Sequence, residues 1–210
     1  MGSFRVPQPL RPVFDKAEVF VRRLFDNVVR KPEDGTIHIG GERYVWIRCE
    51  SLYLSWFARM AAAFGEETAR EFIYNTAREI GHSDAVAFAA RMQVPAGVER
   101  LAAGPIHFAY AGWALVDILA DSAPATDDSY FLHYHHPNTF ESEVFRKRGE
   151  KSDACVCHFS AGYSSGWCSA AFGVEVHGRE VHCVARGDRA CEFIMAPSDR
   201  LDAHQRRLLG

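Results

Sequence analysis

The chain has 210 residues, of which 48% are apolar and 24% charged, and its formal net charge is -3. This is the composition of one globular domain and excludes disordered or collagen-like chains. No excess of basic residues is present to hold a nucleic acid or an anionic membrane. No apolar run approaches the ~20 residues that cross a bilayer, and the first residues lack the apolar core of a signal peptide. We therefore expect a cytoplasmic domain that binds neither nucleic acid nor membrane.

The N-terminal quarter predicts an arm, a helix and a hairpin. Prolines are frequent in residues 1–13, which indicates an extended arm. An apolar repeat at helical spacing over residues 13–24 predicts the first helix. Two short β-prone stretches then flank Gly40 and Gly41, a pair typical of a tight hairpin turn.

The middle of the chain predicts helices followed by a strand. Apolar residues recur at helical spacing over residues 52–92, and Gly65 and Gly81 are the expected breaks between two or three helices. The aromatic and β-branched residues of 104–119 instead predict a strand.

The last third predicts alternating elements around one core. Residues 130–135 favour a strand, and Asn138 with Glu141 resembles a capping pair for the next helix. The small residues of 155–172 predict a tightly packed helix, and two strands should flank residues 187–190. The fold class that follows is α+β, with a mainly antiparallel sheet flanked by helices.

Cysteines concentrate in the last quarter of the chain, and two of them suit one turn. Cys183 and Cys191 lie symmetrically about Gly187, so a hairpin there would bring their sulfurs together across two strands. Cys157 precedes this pair on the predicted helix. In a reducing compartment such thiols more often serve metals, chemistry or packing than disulfides.

Glu180 adds a carboxylate three residues before Cys183. On a regular strand these two side chains would point to opposite faces, so a shared metal site requires a bulge or bend near His182. Three thiolates and one carboxylate would fill a tetrahedral zinc site and leave no position for water, which makes the site structural. The alternative is that the cysteines are small buried hydrophobes and Glu180 is a solvated strand residue.

The motifs together resemble a known family. Its members carry the 4-vinyl reductase type domain, and the likeness is greatest to the sensory domains of sigma-54-dependent activators, and of related sensor kinases, that detect phenol, xylene and other aromatics. The likeness covers about residues 14–197. It rests on Cys157-His-Phe-Ser-Ala-Gly-Tyr-x-x-Gly166, Glu180-x-x-Cys183, Gly187-x-x-x-Cys191, Phe140-Glu141, Gly104-Pro-Ile-His107 and the hairpin GTIHIGGERYVWIRCESL.

This resemblance implies a ligand-binding fold like that of nitric-oxide-signalling and Golgi-transport proteins, with a C-terminal structural zinc site. The zinc ligands it implies are Cys157, Glu180, Cys183 and Cys191. Cys155 falls outside the matched position and is the close competitor.

The resemblance also implies an enclosed pocket that binds a small aromatic or apolar molecule with one polar handle. The residues expected to contact it are His107, Tyr134, His136 and Trp167. His136 stands where the family has a tryptophan, which is a departure. His107 is equally well interpreted as a satisfied core histidine, while His133 and His135 favour a polar strand end at the surface.

In function, the resemblance implies a non-catalytic sensor. Residues 14–197 would form the sensor of a homodimer, and residues 198–210 would begin a helical linker or tail, without a core face of its own, towards an output module outside this segment. The alternative is a protein related to 4-vinyl reductases of bacteriochlorophyll metabolism. That alternative needs an external reductant, because the chain has no nicotinamide or flavin motif.

Overall fold

The structure, a computed structural model, describes residues 2–210, and within this range it contains seven α-helices and eight β-strands. The helices are α1 Arg11–Asp26, α2 Cys49–Phe64, α3 Glu66–Met92, α4 Val98–Tyr110, α5 Phe140–Arg148, α6 His158–Phe172 and α7 Ser198–Leu209. The strands are β1 Phe4–Arg5, β2 Val28–Lys31, β3 Thr36–Ile39, β4 Glu42–Tyr44, β5 Val116–Ile118, β6 Leu132–His136, β7 His177–His182 and β8 Cys191–Ala196. Of the helices in the described range, none is both long and apolar enough to span a membrane.

The strands form two sheets. The larger sheet has the order β1-β5-β6-β8-β7, and all its neighbours are antiparallel except β1 and β5. The smaller sheet is the antiparallel meander β2-β3-β4. Helices flank both sheets, which confirms the predicted α+β class with mainly antiparallel strands.

The prediction of a strand over residues 104–119 is wrong for most of that segment. Its first part belongs to α4, which contains Pro105 in its interior, and only β5 is extended. The segment forms a helix rather than a strand because the helix buries a continuous apolar surface against the rest of the core. This packing overrides the β-propensity of single residues. The buried apolar positions include Leu101, Ala102, Ala103, Ile106 and Phe108.

Two glycine-based predictions have different outcomes. Gly40 and Gly41 form the turn between β3 and β4, and both have positive φ, as the predicted hairpin requires. Gly65 separates α2 from α3, which confirms that break. Gly81 does not break a helix, because α3 continues through it without interruption.

Gly81 instead belongs to a close contact between α3 and α6. A Cβ atom at Gly81 would lie 2.1 Å from the carbonyl oxygen of Tyr163, and one at Gly162 would lie 2.1 Å from that of Tyr74. At Gly166 the distance to the Arg78 carbonyl oxygen would be 1.9 Å. The two helices therefore pack backbone against backbone, and only glycine fits at these positions.

The two ends of the chain both contact the larger sheet. Phe4 is buried and pairs with Val116 of β5. Leu201 of α7 is buried against Val181 and Ile194, so the expectation that residues 198–210 have no core face is wrong. The division into arm, sensor and linker stays a prediction.

We expect Gly166→Ala to lower the free energy of unfolding. In an ordinary helix this change stabilises by about 1 kcal/mol, but here the added methyl meets the backbone of α3, and overpacking costs about 1–3 kcal/mol or more. Urea denaturation of the purified protein measures the difference. Asn75→Ala, at an exposed position of α3, is the control and should change stability little. A stabilised Gly166→Ala variant would contradict this packing.

Candidate metal cluster and ligand cavities

Three cysteines and one glutamate converge between α6 and the β7–β8 hairpin. Cys157 immediately precedes α6, Glu180 lies in β7, Cys183 follows β7, and Cys191 begins β8. One ligand atom from each of the four lies within 4.8 Å of all the others. The structure therefore brings together the four residues that the sequence predicted as metal ligands.

A β-bulge lets Glu180 join the cysteines. Glu180 pairs with Phe193, but His182 pairs with Glu192, so β7 has one residue more than β8 at this point. The extra residue, Val181, reverses the alternation of side chains between Glu180 and Cys183. The bulge that the sequence required near His182 is confirmed.

The turn between the two strands is held by hydrogen bonds to the cluster. The backbone N–H of Val184 donates to Cys191 Sγ at 3.4 Å, and that of Cys183 donates to Asp188 Oδ2 at 2.7 Å. Gly187 adopts φ +105°, a conformation that L side chains rarely adopt. The turn therefore fixes the positions of two sulfurs before any ion is bound.

The distances among the sulfurs suit a shared cation. The Sγ atom of Cys157 lies 4.0 Å from that of Cys183 and 3.6 Å from that of Cys191, and the third separation is 3.9 Å. A tetrahedral ion with sulfur ligands at about 2.3 Å separates them by about 3.8 Å. Disulfide sulfurs are only about 2.05 Å apart, so none of these pairs is bonded.

Glu180 has one oxygen available for an ion. Its Oε2 accepts a hydrogen bond from the backbone N–H of Cys157 at 2.8 Å, while its buried Oε1 has no partner. Burial and the neighbouring thiols raise the pKa of Glu180 well above its ordinary value. A cation bound by Oε1 would satisfy this oxygen and stabilise the ionised carboxylate.

The thiols also need a cation if all are to be ionised. Burial raises the pKa of Cys157 well above its ordinary value, whereas hydrogen bonds from the other two thiols lower the pKa of Cys191 to about 5. Cys155, the competitor, is not one of the four mutually close residues, although it lies beside Cys183, and it accepts a hydrogen bond from Arg186 Nη1 at 3.8 Å. The donor set therefore fits a metal ion.

Glu141 was missed as a site residue, although it is fully buried beside the cluster. The sequence predicted it as a capping residue of α5, but Thr139 and Ser142 form that capping box. The carboxylate of Glu141 instead accepts hydrogen bonds from the backbone N–H groups of Phe159 and Ser160, at 2.8 and 3.2 Å. Burial raises its pKa to about 8. Its partners are distant in sequence, so local spacing could not reveal them.

An apolar cavity of about 30 Å³, lined almost entirely by buried residues, lies beside the middle of α6. Tyr134 and Trp167, two of the predicted ligand contacts, line it, and both side chains are buried. The hydroxyl of Tyr134 has no well-aligned hydrogen-bond partner. The other lining residues are Leu101, Gly104, Pro105, Phe108, Val116, Ile118, Leu132, Tyr163, Ser164 and Cys168.

His107 lies outside this cavity and borders a wider cleft of about 480 Å³ that includes Tyr44, Trp46 and Asp84. Its Nδ1 is 3.0 Å from the Tyr163 hydroxyl, which donates to Asp84 Oδ2 at 2.7 Å. The tyrosine hydroxyl donates its only proton to Asp84. The hydrogen of the neutral His107 ring must therefore be on Nδ1, which donates it to the tyrosine oxygen. The buried Nε2 is then an acceptor without a partner.

His136 lines neither space. Its Nδ1 lies 3.0 Å from the carbonyl oxygen of Leu115, its ring stacks on Phe108, and its buried Nε2 has no partner. The structure therefore places both predicted histidines behind the cavity wall, His136 behind Phe108 and His107 behind Tyr163. The expectation of a surface strand end is wrong for His133, which is buried, whereas His135 is half-buried.

Comparison with known proteins gives two adjacent family matches. Residues 24–121 match the family described as activator of aromatic catabolism, and residues 137–197 match the 4-vinyl reductase type domain. Both matches confirm the resemblance predicted from the sequence. No curated protein gives a significant match.

One solved structure shows the same fold. The chain is similar to the phenol-responsive sensory domain of the transcription activator PoxR, crystallised with phenol: the TM-score is 0.75 and the identity 21%, over 97% of this chain and 98% of that one. A vinyl-4-reductase family protein from Methanocaldococcus jannaschii aligns with a TM-score of 0.46 and 15% identity, over 87% of this chain and 93% of that one.

We expect His107 to make stability depend on pH. Burial lowers its pKa from 6.5 to about 4, so the folded chain resists protonation that the unfolded chain accepts. The contribution of neutral His107 to the free energy of unfolding is complete above pH 6.5. It falls as the pH drops towards 4, and the total loss is about 3 kcal/mol.

Urea denaturation of the wild type and His107→Gln, at several pH values between 7.5 and 4.5, measures this contribution. The variant should lose less stability than the wild type over that range. His38→Gln, in the small sheet, is the control and should follow the wild type. Equal losses in His107→Gln and the wild type would contradict the assignment.

Proposed function

We propose that the chain is a non-catalytic sensory domain for a small aromatic or apolar molecule. Its two family matches, to the activators of aromatic catabolism and to the 4-vinyl reductase type domain, support this proposal, as does the fold shared with the phenol-responsive domain of PoxR. The observation that carries it is the buried apolar cavity with the Tyr134 hydroxyl, beside Ser164, at its wall. The lining of this cavity, apolar with one hydroxyl, matches the chemistry of an apolar ring with one polar substituent.

We place the ligand in this cavity, against Tyr134 and Trp167. The aromatic rings supply apolar contacts, and the Tyr134 hydroxyl supplies a hydrogen bond to the ligand's polar group. The cavity of about 30 Å³ has room for only about one or two water molecules. An aromatic ligand therefore requires the wall to move.

Movement of the wall would bring in the two predicted histidines. A shift of Phe108, which stacks on His136, would expose the free Nε2 of that histidine to the cavity. A shift of Tyr163, whose hydroxyl contacts His107 Nδ1, would free that N–H to donate to a ligand. The ring of His107 stacks on both Tyr163 and Trp167. A ligand that binds only the expanded arrangement shifts the population towards it, and this is the requirement for a signal.

The metal cluster would keep part of this wall fixed. We propose that Cys157, Glu180, Cys183 and Cys191 hold a structural Zn²⁺, which joins the start of α6 to the β7–β8 hairpin. Four protein ligands leave no open position, so the ion supplies stability and no catalysis. The free Oε1 of Glu180 and the spacing of the sulfurs support this assignment.

We further propose that the domain is a homodimer connected to an output module outside this segment. Several large apolar side chains are exposed, and two of them, Val45 and Trp46, adjoin the cleft beside His107. Clustered exposed apolar side chains are typical of protein–protein interfaces. Helix α7, Ser198–Leu209, packs on the sheet that contributes to the cavity and leads towards the C-terminus.

We expect the purified, tag-free protein to contain one tightly bound zinc ion per chain. The difference between its native and denatured masses gives the metal content and also the number of subunits. Cys157→Ser should lose the zinc and melt at a lower temperature, because a structural ion contributes directly to folding free energy. Cys49→Ser, at an exposed position outside the cluster, should keep both. Unchanged zinc content in Cys157→Ser would refute the ligand assignment.

We expect phenol, used as the probe, to raise the melting temperature of the wild type, since a ligand that binds only the folded state stabilises it. Tyr134→Phe should weaken phenol binding by about tenfold, as expected for loss of about one hydrogen bond. Tyr110→Phe, which keeps the ring but removes a hydroxyl bonded to Arg22, is the control. A melting temperature insensitive to millimolar phenol and to other simple aromatics would contradict the sensor proposal.

A further inference from the structure

A second group of metal-binding side chains lies on the face of the larger sheet that packs against α7. His133 and His135 alternate along β6 and so share one face, and Glu192 of β8 pairs with His135. One ligand atom from each of the three lies within 4.8 Å of the other two. Glu192 follows Cys191 directly, so this group and the cysteine cluster face opposite sides of β8.

The carboxylate of Glu192 lies between the two histidines. Its Oε1 is 2.6 Å from His133 Nε2, and its Oε2 is 3.4 Å from His135 Nε2. The other nitrogen of His133, Nδ1, lies 2.9 and 3.0 Å from the two oxygens of Asp121. Both ring nitrogens of a buried histidine therefore face carboxylates.

A neutral imidazole has only one N–H group, so it cannot donate to both carboxylates. If Nδ1–H donates to Asp121, the lone pair of Nε2 points at an anionic oxygen 2.6 Å away, a contact that is repulsive unless a second proton or a metal ion bound by both atoms neutralises it. A histidine that donates one N–H to a carboxylate and presents its other nitrogen to an ion is the usual arrangement around protein-bound metals.

We propose that His133, His135 and Glu192 bind a divalent first-row transition metal, with Asp121 as the residue that orients His133. Two imidazoles and one carboxylate are a donor set for Zn²⁺, Co²⁺, Ni²⁺ or Cu²⁺ rather than for Mg²⁺ or Ca²⁺. Three protein ligands leave a coordination position open. The site has no sulfur ligand and does not depend on the cysteine cluster or on the sensory function.

The surroundings fit an exchangeable ion. His135 and Glu192 border a groove of about 630 Å³ that also includes Asp117, His182 and Asp188, so the open position is reached from the surface. The guanidinium group of Arg207, in α7, lies 4.0 Å from Asp121 Oδ2, at the edge of the site. The groove also contains Arg5 and Arg189, so the surface around a bound metal carries charges of both signs.

Titration of the tag-free 210-residue chain with Ni²⁺, followed by calorimetry and native mass spectrometry, tests the proposal. The protein is first dialysed against a chelator to remove exchangeable metal. We expect one Ni²⁺ per chain with no thiolate-to-nickel absorption band. His135→Ala should weaken binding by at least about tenfold, and Asp121→Asn by about 10- to 100-fold, the usual effect of losing such a partner.

Two controls make the result specific. His177→Ala removes a histidine on β7 of the same sheet and should leave Ni²⁺ binding unchanged. Cys157→Ser should also keep it, which separates this site from the cysteine cluster. Melting temperatures without metal show that each variant is folded. Absence of saturable binding, wild-type affinity in both His135→Ala and Asp121→Asn, or binding accompanied by a thiolate band would each overturn the proposal.

Discussion

The start of α6 is held by two buried carboxylates, and much of the structure depends on this anchorage. The first backbone N–H groups of a helix have no partner within it. Here Glu180 accepts from the N–H of Cys157, and Glu141 accepts from those of Phe159 and Ser160. The positive end of the helix dipole stabilises both acceptors when they are ionised. Strand β7 and helix α5 are thereby fixed to the same helix end.

This anchorage sets the position of everything that α6 carries. Cys157 joins the metal cluster just before the helix, while Tyr163 and Trp167 reach the cavity about two and three turns further on. Along another side, Gly162 and Gly166 bring the backbone of α3 into direct contact. The chain has little freedom to adjust α6, so a change in cavity volume must come from side chains and from the elements facing it.

The sequence predicted the parts of this arrangement that depend on local spacing or on paired strands. The symmetric placement of Cys183 and Cys191 about Gly187 required a hairpin, and Glu180 required a bulge, because both follow from the two-residue alternation of strands. The prediction of a strand over residues 104–119 was wrong, because burial against several parts of the core determines whether this segment forms a helix or a strand. The partners of Glu141 and the separation of His107 from the cavity depend on contacts between distant elements, which single-sequence periodicity cannot specify.

The same reasoning explains why β8 can serve two different sites. Alternation places Cys191 towards the core, where sulfur ligands and a buried carboxylate suit a permanent ion, and Glu192 towards the face beside α7, where imidazoles suit an exchangeable one. His136 pairs with Cys191, and His135 pairs with Glu192, so β6 follows the same alternation. Expansion of the cavity would act on Tyr134 of β6, which lies between His133 and His135 in sequence. Any displacement of β6 would therefore reach the face that contacts α7, and the sheet itself is the physical connection between the cavity and the C-terminal helix.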